Sequence, residues 1–332
     1  MNNRDQREEN RKLKRGGRRY MPWLGWIVGA IGALLLIGAV YESMAEASDA
    51  KKYPPPGQLV DVGGYRLHIK CTGTGSPTVV IDAGLGDWST LWGFVQPEVA
   101  KVTRVCTYDR AGSGWSEAGP LPRDAAHFAR ELHTLLQNAH IPGPYVIVGH
   151  SLGGLTARVF AHEYASEVVG VVLIESMSPQ QFSQQPTGAQ SQLYYKPGPF
   201  SFIQPALARF GVVRMLVKPL GLIPHLPANA QEAYLSRLAR PSNLQATTYD
   251  AQGMPAGGTE AAGVKSFGNL PLIVLTARQH TDTPGWQAWQ TEMLQLSTNS
   301  QQLFAEKSGH NIEIEEPEAA VAAIIQMVSE VR

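Results

Sequence analysis

The run Tyr145-Val146-Ile147-Val148-Gly149-His150-Ser151-Leu152-Gly153-Gly154 decides the fold. Its first half is apolar and β-branched, the composition of a buried strand. It stops abruptly in the pattern G-x-S-x-G, and Leu155 to Tyr164 reads as a helix. A chain that turns from strand to helix in so few residues forces Ser151 into a strained backbone conformation. Gly149 and Gly153 stand two residues either side, where a Cβ would collide with the neighbouring strand or helix. The strain lifts the hydroxyl clear of the sheet, and the helix N-terminus behind it favours developing negative charge. A glycine-rich turn holding a chance serine would lack this strand before and helix after. Ser151 is the candidate nucleophile.

The partners of such a serine lie downstream. Near the C-terminus, Phe304-Ala305-Glu306-Lys307-Ser308-Gly309-His310 follows an apolar strand (Gln302 to Ala305) and precedes Pro317 and a helix from Glu318 to Val331. Upstream stands Tyr108-Asp109-Arg110-Ala111-Gly112-Ser113-Gly114-Trp115-Ser116. In these motifs, their order and their spacing, the chain resembles the α/β-hydrolase superfamily, in particular its esterase and proline-iminopeptidase-like branch. The resemblance runs from about Gly57 to the end. It implies an α/β fold, a mostly parallel sheet flanked by helices with a helical cap insertion. It also implies a triad in the chain order Ser, acid, His, which makes His310 the general base. The other histidines lack its flanks. His68 alternates with Leu67 and Ile69 in a strand; His127 and His133 are six apart, the wrong spacing for a shared metal ion on one helix face. His150 fills the variable place of the elbow and packs or lines the pocket.

Two carboxylates compete for the acid. In most relatives it follows the strand after the cap, here Leu272-Ile273-Val274-Leu275-Thr276; the usual aspartate position holds His280, with Asp282 two residues later. Pancreatic-lipase-like members carry it one strand earlier. That strand here, Val171 to Ile174, ends directly in Glu175. A carboxylate at a strand's C-terminal end points into the crevice where it can hold the imidazole tautomer. As non-catalytic groups, Glu175 would order a loop and Asp282 would cap a helix. For the oxyanion hole, the strand Thr78 to Asp82 leads into Ala83-Gly84-Leu85-Gly86, similar to the family's His-Gly-x-Gly loop. The backbone N–H groups of Leu85 and Leu152 are the expected donors. Ala83 departs from the family histidine, which alters how that loop is braced.

The N-terminus carries a different signal. Residues 1–20 hold eight Lys and Arg against three Asp and Glu. Pro22 to Tyr41 then run without a charge, and a helix of that length reaches about 30 Å, the thickness of a bilayer's hydrocarbon core. Trp23, Trp26 and Tyr41 stand near its ends, as interfacial aromatics do. The expected organisation is a basic cytoplasmic segment (1–20), a transmembrane signal-anchor (21–41) and a spacer (42–56). A hydrolase core follows (57–178 and 270–332), interrupted by a cap (179–269). The catalytic domain then lies outside the cytoplasm. The alternative is secretion after cleavage at Ala45-Glu46-Ala47, although the apolar run is long for a signal peptide.

Of the 28 basic and 28 acidic residues, the part after residue 20 keeps 20 and 25. No phosphate-tracking surface is indicated, so nucleic acid is excluded as a partner. Within the cap, helical spacing returns around Phe202 to Leu216 and Glu232 to Leu238 after a Gln- and Ser-rich stretch (Gln180 to Gln192). Tyr194, Tyr195, Phe200, Phe202 and Phe210 either line an acyl pocket or pack the cap onto the core.

The reading is a membrane-tethered serine hydrolase, carboxylesterase-like, that cleaves an ester or amide of a small molecule. No metal or organic cofactor is implied. An aminopeptidase or acyltransferase would use the same triad, and a non-catalytic ligand-binding member of the fold would ordinarily have lost part of it. Finally, the strand order typical of this fold makes the second and fourth strands neighbours. That arrangement brings Cys71 and Cys106 within reach of a disulfide, which an oxidising compartment would preserve.

Overall fold

The computed structural model describes residues 3–183, 199–221, 224–280 and 283–332. Tyr194, Tyr195 and Asp282 lie outside the described residues. Eight strands form one sheet: β1 (Gln58–Asp61), β2 (Arg66–Thr72), β3 (Thr78–Asp82), β4 (Val105–Tyr108), β5 (Tyr145–His150), β6 (Val168–Ile174), β7 (Leu272–Ala277) and β8 (Ser300–Ala305). Their order is β1-β2-β4-β3-β5-β6-β7-β8. β2 runs antiparallel to β1 and β4, and the pairs from β4 onward are parallel.

The central strands read as continuous β-branched runs because helices cover both faces of a parallel sheet. The period of two still sorts their side chains. Val80, Ile147, Val171 and Val274 join Phe128, Leu132 and Phe160 in one core. Val79, Val146, Val148, Val172 and Ile273 join Trp92, Ile324 and Met327 in the other. The first core lies under α2 (Ala125–Asn138) and α3 (Leu152–Glu163), and a later helix (Pro317–Glu330) covers the second. Asp124 caps α2 by accepting from the His127 N–H at 2.9 Å,.

Among the described residues no strand lies between Ile174 and Leu272; the insertion is helical. It contains α4 (Pro199–Arg209), α5 (Val212–Val217), α6 (Ala228–Leu238) and α7 (Pro241–Gly263). The long α7 has no counterpart in the sequence expectations. It carries Pro255 and four glycines, a composition that disfavours helix,. Tertiary packing reverses that preference. A Cβ on Gly253 would strike the Arg123 carbonyl, and one on Gly258 would strike the Phe182 ring. The glycines let α7 lie directly on the loop before α2.

At the other end, α1 (Asn3–Lys52) is one helix. Trp23–Lys52 is long and apolar enough to cross a membrane, a property shared by anchors and signal sequences. The stretch expected as a spacer is helical as far as Lys52, because Ala, Glu, Met and Lys dominate it,. It then docks on the domain: the Tyr53 carbonyl accepts from Trp115 Nε1 (3.0 Å) and Arg237 Nη2 (2.7 Å).

Cys71 and Cys106 face each other directly in the β2–β4 register and are joined by a disulfide. It closes a loop of 35 residues, which contributes on the order of 3–4 kcal/mol in the chain-entropy account. Replacing both cysteines with alanine should lower the denaturation free energy of the detergent-solubilised chain by about that amount. An unchanged midpoint in a urea titration would contradict it.

Candidate active site

β5 delivers Ser151 to the C-terminal edge of the sheet, and α3 begins at the next residue. Ser151 has φ 51° and ψ −119°, a left-handed backbone that costs a non-glycine residue about 1–3 kcal/mol. The surroundings enforce it. A Cβ on Gly149 would lie 2.5 Å from the Gly153 carbonyl oxygen, and one on Gly153 would strike the Asp82 carbonyl of β3. The Ser151 N–H donates to the Ile174 carbonyl (3.3 Å), and its carbonyl accepts from the Met177 N–H (2.9 Å). The sharp corner expected from G-x-S-x-G is present, with the collisions that its glycines avoid.

His310 comes from the loop after β8, and its Nε2 lies 2.9 Å from Ser151 Oγ. The loop is pinned by carboxylates: Glu316 accepts from the Lys307 N–H and Glu315 from the Gly309 N–H, both at 2.6 Å. His150 adds a third hold. Its Nε2 donates to the His310 carbonyl at 2.9 Å, so the variable residue of the elbow positions the partner histidine. The His310 ring packs edge-on to Trp286 (5.5 Å) and His280 (5.1 Å). Burial, then the nearby His150 and His280, push its pKa down to about 3. The imidazole is therefore neutral at ordinary pH.

Glu175 follows β6, is fully buried and has φ 43°, a second strained non-glycine backbone. Its carboxylate does not hydrogen bond to His310. Oε2 accepts from the Ala277 N–H (2.6 Å) and Oε1 from His280 Nδ1 (2.7 Å). One carboxylate oxygen of Glu175 and one ring nitrogen each of His280 and His310 nevertheless lie within 4.8 Å of one another. Among the described residues nothing accepts from His310 Nδ1. Oε1 of Glu175 is thus taken by His280, the histidine at the position expected of an aspartate.

The loop expected to supply the oxyanion donor turns at Gly86 (φ 76°), and the Asp87 N–H donates to the Gly84 carbonyl (3.3 Å). Leu152, the first residue of α3, has an N–H without an acceptor inside its helix,. Arg110 does the bracing that Ala83 does not. Its Nη1 donates to Asp82 Oδ1 and to the Ala83 carbonyl (2.7 Å each), Nη2 to the Gly84 carbonyl, and Nε to Asp250 Oδ2 of α7 (3.1 Å). Burial opposes its charge, but Asp82 and Asp250 outweigh burial and keep it a cation. Arg110 sits inside the run Tyr108 to Ser116 without a motif position of its own, so sequence alone does not mark it. A fixed residue of that run is legible in hindsight: buried Asp109 accepts from the Ser89 and Trp115 N–H groups and from His68 Nδ1, each at 2.9 Å.

Beneath His310 lies a second cluster. Single ligand atoms of Asp87, His150 and Glu313 fall within 4.8 Å of one another. These two clusters are the places among the described residues whose donor sets could hold a metal ion. Burial raises Asp87 to about 7, and it raises Glu313, whose oxygens have no hydrogen-bond partner, to about 8.

Comparison with known proteins places the family and the fold. The sequence profile of the Alpha/beta hydrolase family matches residues 79–324, and the chain belongs to that family. It is 25% identical over 256 residues to the uncharacterized protein YqjL of Bacillus subtilis, covering 76% of this chain and 83% of YqjL. It is 33% identical over 149 residues to efuK of Hormonema carpetanum, described as a probable transporter; that match covers 42% of this chain and 21% of efuK. Among solved structures, the fold is shared with the epoxide hydrolase CorEH (TM-score 0.65, 17% identity, 83% of this chain and 99% of that one). It is also shared with an esterase of Thermogutta terrifontis (TM-score 0.59, 20% identity, 82% and 98%).

The buried carboxyls give a prediction with a definite sign. Their folded pKa values lie above the usual 3.8 and 4.5. The folded chain therefore keeps protons that the unfolded chain releases, and their contribution to stability falls as pH rises, from 3.8 to about 7 for Asp87 and from 4.5 to about 8 for Glu313,. Glu313→Gln removes one of these titrations. Its melting temperature should match wild type near pH 4 and exceed it near pH 8,. A difference independent of pH would contradict the assignment.

Proposed function

We propose that this protein is a serine hydrolase that cleaves a carboxylic ester or amide through an acyl-enzyme intermediate. The observation that carries the reading is the 2.9 Å approach of neutral His310 Nε2 to Ser151 Oγ, on a serine lifted from the sheet by its strained backbone. Oγ attacks the carbonyl carbon while Nε2 takes its proton, and the C–O or C–N bond breaks as His310 returns that proton to the leaving group. Water repeats the sequence to release the acid. The N–H groups of Leu85 and Leu152 stabilise the tetrahedral oxyanion. A serine rather than an aspartate at the elbow favours acyl transfer over epoxide opening, and an esterase among the fold's neighbours is in keeping with that.

Glu175 is our choice for the acid, because it is buried and close to the His310 ring, with its carboxylate fixed by the Ala277 N–H. It acts on His310 through His280, whose Nδ1 it holds at 2.7 Å and whose ring packs edge-on to His310. Asp282 remains the alternative. The apolar part of α1 serves as a membrane anchor, leaving the catalytic domain on the non-cytoplasmic side, where the disulfide persists.

Ser151→Ala and His310→Ala should each lower kcat/KM on p-nitrophenyl esters by about 10⁴-fold or more. Glu175→Gln should cost about 10²–10⁴-fold, while Asp282→Asn stays near wild type. A folded Ser151→Ala protein with full turnover would sink the mechanism. The reverse pattern for the two carboxylates would move the acid to Asp282. Running aminoacyl anilides beside the esters separates esterase from aminopeptidase activity.

A further inference from the structure

We infer that the cap is itself seated in the membrane surface, its exposed apolar side chains on α4, α5 and the turn after α5 lying in the interface of the bilayer that α1 crosses. The inference rests on the reading of α1 as an anchor and goes beyond it, since an anchor alone would leave the domain free to hang in water.

The argument begins with where the cap touches α1. A Cβ on Gly38 would lie 2.5 Å from the Phe210 carbonyl oxygen, and one on Gly211 would lie 2.7 Å from the Tyr41 ring. Glycine at both places lets the α4–α5 turn abut the helix, main chain to main chain. Arg214 of α5 then clamps it: Nε and Nη2 bond the two oxygens of Glu42 (2.9 and 2.7 Å), and Nη1 bonds Asp49 (2.6 Å). Glu42 is only 2% exposed, so this pairing is shielded from water and far less screened than a surface pair.

Those contacts fix a depth. Gly38 to Tyr41 form the last turn of the uncharged run. At about 1.5 Å per residue, Phe210 therefore sits within roughly 5 Å of the level at which that run ends. If the run spans the hydrocarbon core, the α4–α5 turn is at the bilayer's interface, and what surrounds it meets lipid.

The side chains there suit that medium. Ile203 and Leu207, four apart on one face of α4, are exposed, as are Met215 (65%), Leu216 and Leu220 (61%),. Such a grouping is unfavourable in water and is what helices lying in a membrane interface carry. Arg209 is exposed among them, placed to meet headgroup phosphates, and exposed Lys218 pairs with Glu232 at 3.7 Å.

The two native cysteines are disulfide-bonded, so an introduced cysteine is a unique thiol. An environment-sensitive fluorophore on Met215→Cys, Leu220→Cys, Leu34→Cys and Glu330→Cys would be read in the full chain reconstituted into phosphatidylcholine vesicles with brominated acyl chains. Glu330 lies near Val168, at the end of the sheet opposite Ser151, and serves as the water-exposed control. The expected result is quenching at 215 and 220 several-fold stronger than at 330, with 34 quenched as well. Quenching at 34 but not at 215 and 220 would overturn the seated cap and leave the anchor standing. A blue shift at 215 and 220 without quenching would mean that protein, such as a second copy, covers this face, and would also overturn it. No quenching at 34 would remove the anchor and the inference together.

Discussion

The left-handed backbone of Ser151 is the constraint on which the rest of the site hangs. It is unfavourable for any residue with a side chain, and it persists because β5 and α3 meet too closely for an alternative path. Gly149 faces the Gly153 carbonyl, Gly153 faces the end of β3, and Gly154 faces Ser176. Packing at the sheet's edge thus becomes chemical geometry: the hydroxyl stands where the loop after β8 can reach it. Glu175, with the second strained backbone at this edge, continues the same theme one strand over. Strain concentrated at two adjacent strand ends is the pattern of a site that the scaffold overdetermines.

Arg110 performs the complementary task of holding the opposite wall. It joins the end of β3, the Ala83 and Gly84 carbonyls and Asp250 of the cap, and Asp250 also accepts from Arg123 Nε (3.3 Å). Desolvating so many charges is expensive, and removing one partner from such a set typically costs about 3–5 kcal/mol because the others are left buried and unpaired. The network ties the cap to the loop after β3. A family histidine at position 83 is dispensable when an arginine already ties down the carbonyls beside it.

Much of this was legible in the residues. The Thr78–Asp82 strand is where its β-branched run places it, and the elbow, the His310 loop and the cap all follow from local patterns. Three features were not legible, each for a physical reason. The α7 helix is hidden because its glycines look like helix breakers until Arg123 and Phe182 are seen against them. The continuation of α1 to Lys52 is hidden because its stabilising partner, Arg214, is 165 positions from Asp49. The engagement of Glu175 with His280 is hidden because a histidine two places before a plausible acid reads as a loop residue. Long-range pairing is what local pattern cannot carry.

The central claim is that packing and His310 make Ser151 a nucleophile. The direct measurement is to treat the full chain with a fluorophosphonate and map the adduct by peptide mass spectrometry. The account predicts a single phosphonylated residue, Ser151, formed rapidly in wild type and at a greatly reduced rate in His310→Ala. Failure to modify the folded protein, or an adduct on another residue with Ser151 untouched, would contradict it.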